Sequence, residues 1–249
     1  MNGKTMIQIS APDGTAEAYV ARPDSGEHPG VLLFIDAIGL RPRINEMADR
    51  IASWGYVVLA PNLFYRDGRA EDLAPKGDLR QPGEREKFFA VAGPRIGGLT
   101  TERVLADIDT YLPALRDLDG VSGGPVGAVG YCMGARLAIR AAGAHPEAVG
   151  AVGGFHGGGL ATDEPDSPHL SLPTARAEFV FGHADNDRGM GPEAVETLGR
   201  ALKDAGLTAV NEVYAGAPHG YSMSDTSAYD EAACERHFAA LRALFTRAL

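Results

Sequence analysis

The pentapeptide Gly130-Tyr131-Cys132-Met133-Gly134 sets a cysteine between two glycines. A short run of small and apolar residues, 126–129, stands just before it, and a helical pattern rich in Ala, Leu and Ile, 133–144, follows directly. Strand, sharp turn and helix are the setting in which such a motif forms a nucleophile elbow. The glycines let strand and helix approach closely. The central residue is then forced into a strained backbone conformation that lifts its side chain above the sheet. Unpaired N–H groups and partial positive charge at the helix N-terminus favour a thiolate at Cys132. The backbone N–H of Met133, in the same place, is expected to act as an oxyanion donor.

A nucleophilic thiol needs a base, and the base needs an orienting acid. In elbow enzymes the three follow along the chain in the order nucleophile, acid, histidine. The histidines after Cys132 are His145, His156, His169, His183, His219 and His237. His145 ends a helix beside Pro146, His169 stands in a polar loop, and His237 lies on the last helix, where it is expected to be solvated or half-buried. His219 sits in Ala215-Gly216-Ala217-Pro218-His219-Gly220-Tyr221, a flexible loop after the last strand pattern and before the last helix. That loop lies at the carboxyl end of a parallel sheet, where sites form. The acid should follow an earlier strand, and residues 177–181 lead into Gly182-His183-Ala184-Asp185-Asn186-Asp187. Asp185, first in the turn that leaves the strand, is favoured over Asp187, and the other aspartate is then a turn or capping residue. His183 beside these aspartates is not read as a metal ligand, because no companion residues have metal-site spacing.

The elements that must hold these residues alternate. Strand patterns occupy 6–10, 17–21, 30–35, 56–60, 126–129, 148–152, 178–181 and 209–213. Pro12-Asp13-Gly14 between the first two reads as a hairpin turn. Residues 31–35 are successively apolar, as in a strand buried on both faces. Helical spacing covers 42–54, 99–115, 133–144, 192–204 and 229–248. Residues 62–83 read as a long polar loop, of the kind that carries function. The alternation predicts an α/β fold with a mostly parallel central sheet, helices on both faces and no domain boundary in 1–249.

These segments resemble the dienelactone hydrolase family of the α/β-hydrolase superfamily over nearly the whole chain. The resemblance rests on Phe34-Ile35-Asp36-Ala37-Ile38-Gly39, Gly55-Tyr56-Val57-Val58-Leu59-Ala60-Pro61-Asn62-Leu63, the elbow pentapeptide, and Gly182 to Asp185 with His219. It implies the α/β-hydrolase fold, a triad of Cys132, His219 and Asp185, and no cofactor. It also implies a second oxyanion donor at the N–H of Ala37 and a thiol-gating carboxylate at the position of Asp36, which would otherwise be a strand-end residue accepting backbone hydrogen bonds. Of the two arginines with which the family grips a substrate carboxylate, Arg85 matches one, and Met223 stands where the other would be. Arg41 and Arg43 are placed to replace the lost charge, although arginines of this kind more often form surface ion pairs.

The leading expectation is therefore hydrolysis of a small ester or enol-lactone through an acyl-enzyme. A thioesterase or acyltransferase would use the same triad, and a non-catalytic ligand-binding relative would show a broken one. A redox sensor at Cys132 would need a resolving cysteine nearby. The other cysteine, Cys234, lies in the last helix pattern and reads as a small buried hydrophobe. The formal net charge of −10 disfavours nucleic acid and anionic membranes as partners. No run approaches the roughly 18 apolar residues of a membrane span. Met1-Asn2-Gly3-Lys4-Thr5 lacks the apolar core of a signal peptide, so the chain is expected to be soluble and cytoplasmic.

Overall fold

The structure, a computed structural model, describes residues 3–249; Met1 and Asn2, read above as part of the N-terminal stretch, lie outside the described residues. The chain forms two compact units: one runs to Gly123 and takes back Ser224–Ser227, and the other comprises Gly124–Met223 and Ala228–Leu249.

In the first unit, β1 (Thr5–Ala11) and β2 (Gly14–Ala21) make the expected hairpin, closing at the pair Ala11 and Gly14. β2 pairs antiparallel with β4 (Val57–Pro61), and β4 pairs parallel with β3 (Gly30–Phe34). Every residue of β3 and β4 is buried, which accounts for their unbroken apolar runs. Helix α1 (Pro42–Ala52) starts on a proline whose fixed φ suits the first turn, and it buries Ile44, Met47, Ala48 and Ile51 at helical spacing.

The stretch after β4 is more ordered than expected. Asn62 accepts from the N–H of Phe64 (3.0 Å) and donates to the carbonyl of Gly68 (3.1 Å). A short helix α2 (Ala70–Leu73) and a longer α3 (Glu84–Gly97) follow. Helix α3 has little apolar stripe, with Ala92 alone buried, and Gly93-Pro94 interrupts it in sequence, so periodicity gave no sign of it. Helix α4 (Thr101–Arg116) is capped by the Thr100 hydroxyl, which accepts from Arg103 N–H, and its buried face packs on β3.

The second unit is wholly parallel. Its strands lie in the order β5 (Val126–Tyr131), β6 (Val149–Phe155), β7 (Glu178–Ala184) and β8 (Ala209–Tyr214). Helix α5 (Gly134–Ala144) packs on β5 and β6, and α7 (Glu231–Ala248) packs on β6 and β7; α6 (Pro192–Asp204) lies against β8. Phe155, Phe181, Phe238, Leu241 and Phe245 are fully buried among them. Each such side chain contributes about 1.5–3 kcal/mol of burial free energy. The last strand, β8, is exposed over much of its length, Val210 and Val213 included.

Helix α7 also corrects an expectation. His237 is fully buried, its ring 4.7 Å from that of Phe155 and 4.0 Å from that of Phe238, with Nε2 3.3 Å from the hydroxyl of Tyr131. The face of α7 that carries it is the one packed on β6 and β7. Cys234 on the same helix is a buried free thiol, as expected.

Candidate active site

The site gathers at the carboxyl ends of β5, β6, β7 and the turn after β8, where loops of a parallel sheet can bring distant residues together. At the end of β5 the chain breaks sharply. Cys132 adopts φ 55°, and helix α5 begins two residues on. A Cβ on Gly130 would lie 2.1 Å from the carbonyl oxygen of Gly134, so only glycine allows the helix to start this close to the strand. The N–H of Cys132 donates to the carbonyl of Phe155 (3.0 Å), which ties the elbow to β6. Cys132 is a free thiol and partly exposed.

His219 stands over it. Its Nε2 lies 3.0 Å from Cys132 Sγ and its Nδ1 lies 2.6 Å from Asp187 Oδ2. The expected acid, Asp185, is not the one that reaches the ring. Asp185 follows β7 directly, its N–H donating to the carbonyl of Ala217 in the turn after β8 (2.7 Å), and its carboxylate accepts from the N–H of Gly216 (2.8 Å). Asn186 then takes φ 54°, and this left-handed step redirects the chain and delivers Asp187 to the imidazole. The second oxygen of Asp187 accepts from the N–H of Gly189 (2.8 Å), so both oxygens are engaged. Asp185 instead pins the turn that leads to His219.

Electrostatics follow from this geometry. Burial pulls the His219 imidazolium down, but hydrogen bonds to Asp187 and Cys132 and their charges outweigh it and hold the ring up at about 10. Burial pushes the Asp187 carboxyl up, yet the bond to His219 and that from the Gly189 N–H leave it below its ordinary value. The N–H of Met133 lies at the start of α5, where backbone donors are unpaired within the helix.

Two other histidines after the elbow have structural partners: His183 bonds Asn211 Oδ1 (2.6 Å) and His169 bonds Ser167 Oγ (2.8 Å). Burial pulls both of these imidazoles below their usual range. His156, which the sequence did not single out, is fully buried, with its ring centroid 5.5 Å from that of His219.

The remaining expected residues belong to the first unit. Asp36 and Arg41 are both buried. Arg41 donates to both oxygens of Asp36 (2.7 and 3.1 Å) and, through Nε and Nη2, to both oxygens of Asp225 (2.5 and 3.1 Å). Asp36 also accepts from the N–H groups of Ile38 and Gly39, as a strand-end residue would. Arg41 is thus no surface ion pair: it is an internal clamp whose charge is met by two carboxylates. Ala37 is buried in the same loop. Arg43 pairs with Glu46 on α1 (3.2 Å), and Arg85 on α3 lies over the ring of Phe89. Met223 is buried in the second unit.

Strand order, elbow and triad-like geometry define an α/β-hydrolase fold, and comparison with known proteins agrees. A solved structure from Klebsiella pneumoniae, provisionally titled a dienelactone hydrolase, matches with TM-score 0.83 at 22% identity over 98% of each chain. A dienelactone hydrolase-like promiscuous phosphotriesterase, P91, from metagenomic libraries matches with TM-score 0.75 at 21% identity over 98% of each chain. In sequence, carboxymethylenebutenolidase 1 of Cupriavidus pinatubonensis is 28% identical over 70% of this chain and 68% of its own. The model of the dienelactone hydrolase family matches residues 16–249, and the chain belongs to that family.

Proposed function

We propose that the protein is a cysteine-dependent carboxylic ester hydrolase that acts on small esters or lactones, as the names of its relatives indicate for them. The observation that carries this reading is the continuous path Asp187 Oδ2, His219 Nδ1, His219 Nε2, Cys132 Sγ, with contacts of 2.6 and 3.0 Å.

In this reading His219 holds the thiol proton and Asp187 stabilises the resulting imidazolium. The thiolate attacks the carbonyl carbon, and the Met133 N–H donates to the developing oxyanion. Collapse breaks the C–O bond, and His219 returns the proton to the leaving alcohol or enol. Water, deprotonated by His219, then attacks the thioester, and the acid leaves as the thiol re-forms. A thiolate attacks readily but is a better leaving group than an ordinary alkoxide, so the tetrahedral intermediate tends to fall back to ester. This favours substrates with acidic leaving groups, such as enol-lactones and aryl esters. Because Arg41 is engaged by Asp36 and Asp225, its charge is already compensated within the fold.

The test is turnover of p-nitrophenyl acetate and of small enol-lactones by the wild-type protein, Cys132→Ala and Cys234→Ala. Loss of turnover in the first variant alone supports the reading, and turnover that survives Cys132→Ala rejects it.

A further inference from the structure

Among the described residues, three that are not glycine hold positive φ: Cys132 (55°), Asn186 (54°) and His156 (39°). The first is the elbow residue, and the second is the step that delivers Asp187. Asparagine and histidine are the side chains met most often in this region after glycine, which alone enters it at no steric cost. The chain uses glycine at 157, 158 and 159, yet not at 156. A strained backbone persists only where its surroundings hold it, and such residues cluster at functional sites.

The surroundings of His156 are specific. Its N–H donates to the carbonyl of Gly182 in β7 (2.8 Å), and the preceding carbonyl, of Phe155, holds the N–H of Cys132. Its Nε2 lies 2.7 Å from Ser222 Oγ, three residues beyond His219. Its ring meets that of His219 edge to face (centroids 5.5 Å, 67°) and that of Tyr221 likewise (4.9 Å, 83°). Tyr131 of β5 faces it from the third side at 5.9 Å. The titratable rings that meet it include those of His219, Tyr221 and Tyr131, and burial raises the Tyr221 phenol well above its ordinary value. In register, Tyr131 pairs with Phe155, so two neighbouring strands end in left-handed residues at matched positions.

We infer that His156 is a positioning residue: its ring and its bond to Ser222 fix the 215–223 turn to the end of β6, and so hold the His219 ring over Cys132. This rests on the triad reading above. His156 does not touch the thiol in this role. It sets where the base stands.

The test uses the full-length protein and two readouts, p-nitrophenyl acetate kinetics and the pH dependence of Cys132 alkylation by iodoacetamide. Asparagine tolerates positive φ, so His156→Asn is the variant of choice. Misplacement of a catalytic group by about 1 Å costs up to about 100-fold. The expected result is a fall in kcat of about 10- to 100-fold with KM changed by less than about threefold, and an alkylation pH profile displaced from that of the wild type toward that of His219→Ala. Ser222→Ala should move both readouts the same way by a smaller factor, and it decides the matter if His156→Asn does not fold. Wild-type kcat and alkylation profile in the folded variants would overturn the inference. A wild-type alkylation profile already like that of a free thiol, and indifferent to His219→Ala, would instead remove the triad reading and this inference together.

Discussion

Asp187 Oδ2 lies 2.6 Å from Nδ1 of His219, while two residues earlier the carboxylate of Asp185 bonds the backbone of Gly216. The two aspartates of one turn therefore have separate roles. Asp187→Asn should lower kcat for aryl ester hydrolysis by about 10²- to 10⁴-fold, since an amide cannot stabilise the imidazolium or fix its tautomer. Asp185→Asn should cost less than about tenfold in kcat and lower the melting temperature, because it weakens the anchoring of a turn. Steady-state kinetics and thermal melts on both variants check this, and equal loss of kcat in the two would refute the division.

The raised His219 gives stability a pH signature. The folded ring keeps its proton up to about 10, whereas an unfolded histidine releases it near 6.5. With the ring's proton taken from the Cys132 thiol, as proposed above, native and unfolded states hold equal numbers of protons from about 6.5 until an unfolded thiol ionises near 8.5; from there to about 10 the native state holds more, and stability falls as pH rises. Urea melts at pH 6, 8 and 10 should show a steeper decline for the wild type than for His219→Gln. Parallel declines would contradict the assignment.

The Arg41 clamp predicts a stability effect with no catalytic group changed. Arg41→Ala leaves the buried carboxylate of Asp36 uncompensated, beside that of Asp225, and should cost about 3–5 kcal/mol by denaturant titration. Arg41→Lys should recover little, because one ammonium cannot serve two carboxylates in the planar, two-pronged manner of a guanidinium. A shift of the midpoint equivalent to less than 1 kcal/mol in Arg41→Ala would show that the clamp contributes little.

Gly130→Ala adds one methyl group where the Gly134 carbonyl stands 2.1 Å away. Backbone, not a flexible side chain, must move. The variant should lose about 3 kcal/mol or more of stability and its ester turnover as the elbow opens. Differential scanning calorimetry with an activity assay measures both, and an unaltered melting curve would contradict the packing described.

Local features were legible in the sequence, and those decided by distant partners were not. The elbow announced itself because its strand, turn and helix are contiguous, and His219 because it stands alone in a glycine-flanked loop. The choice between Asp185 and Asp187 rests on one backbone angle, at Asn186, which residue type allows but does not compel. Arg41 could not be told from a surface arginine, because its partner Asp225 lies 184 residues away. The burial of His237 depends on which face α7 turns to β6 and β7, and a polar ring on an apolar face gives no warning. Helix α3 escaped notice because it buries almost nothing and contains Gly93-Pro94.

The protein's two thiols differ in access, since Cys234, on α7, is 1% exposed and Cys132 is partly open. A folded molecule therefore presents one addressable sulfur. A maleimide dye or affinity tag would attach at a single stoichiometric point, and a second equivalent taken up would report the fraction of chains that have lost their native packing.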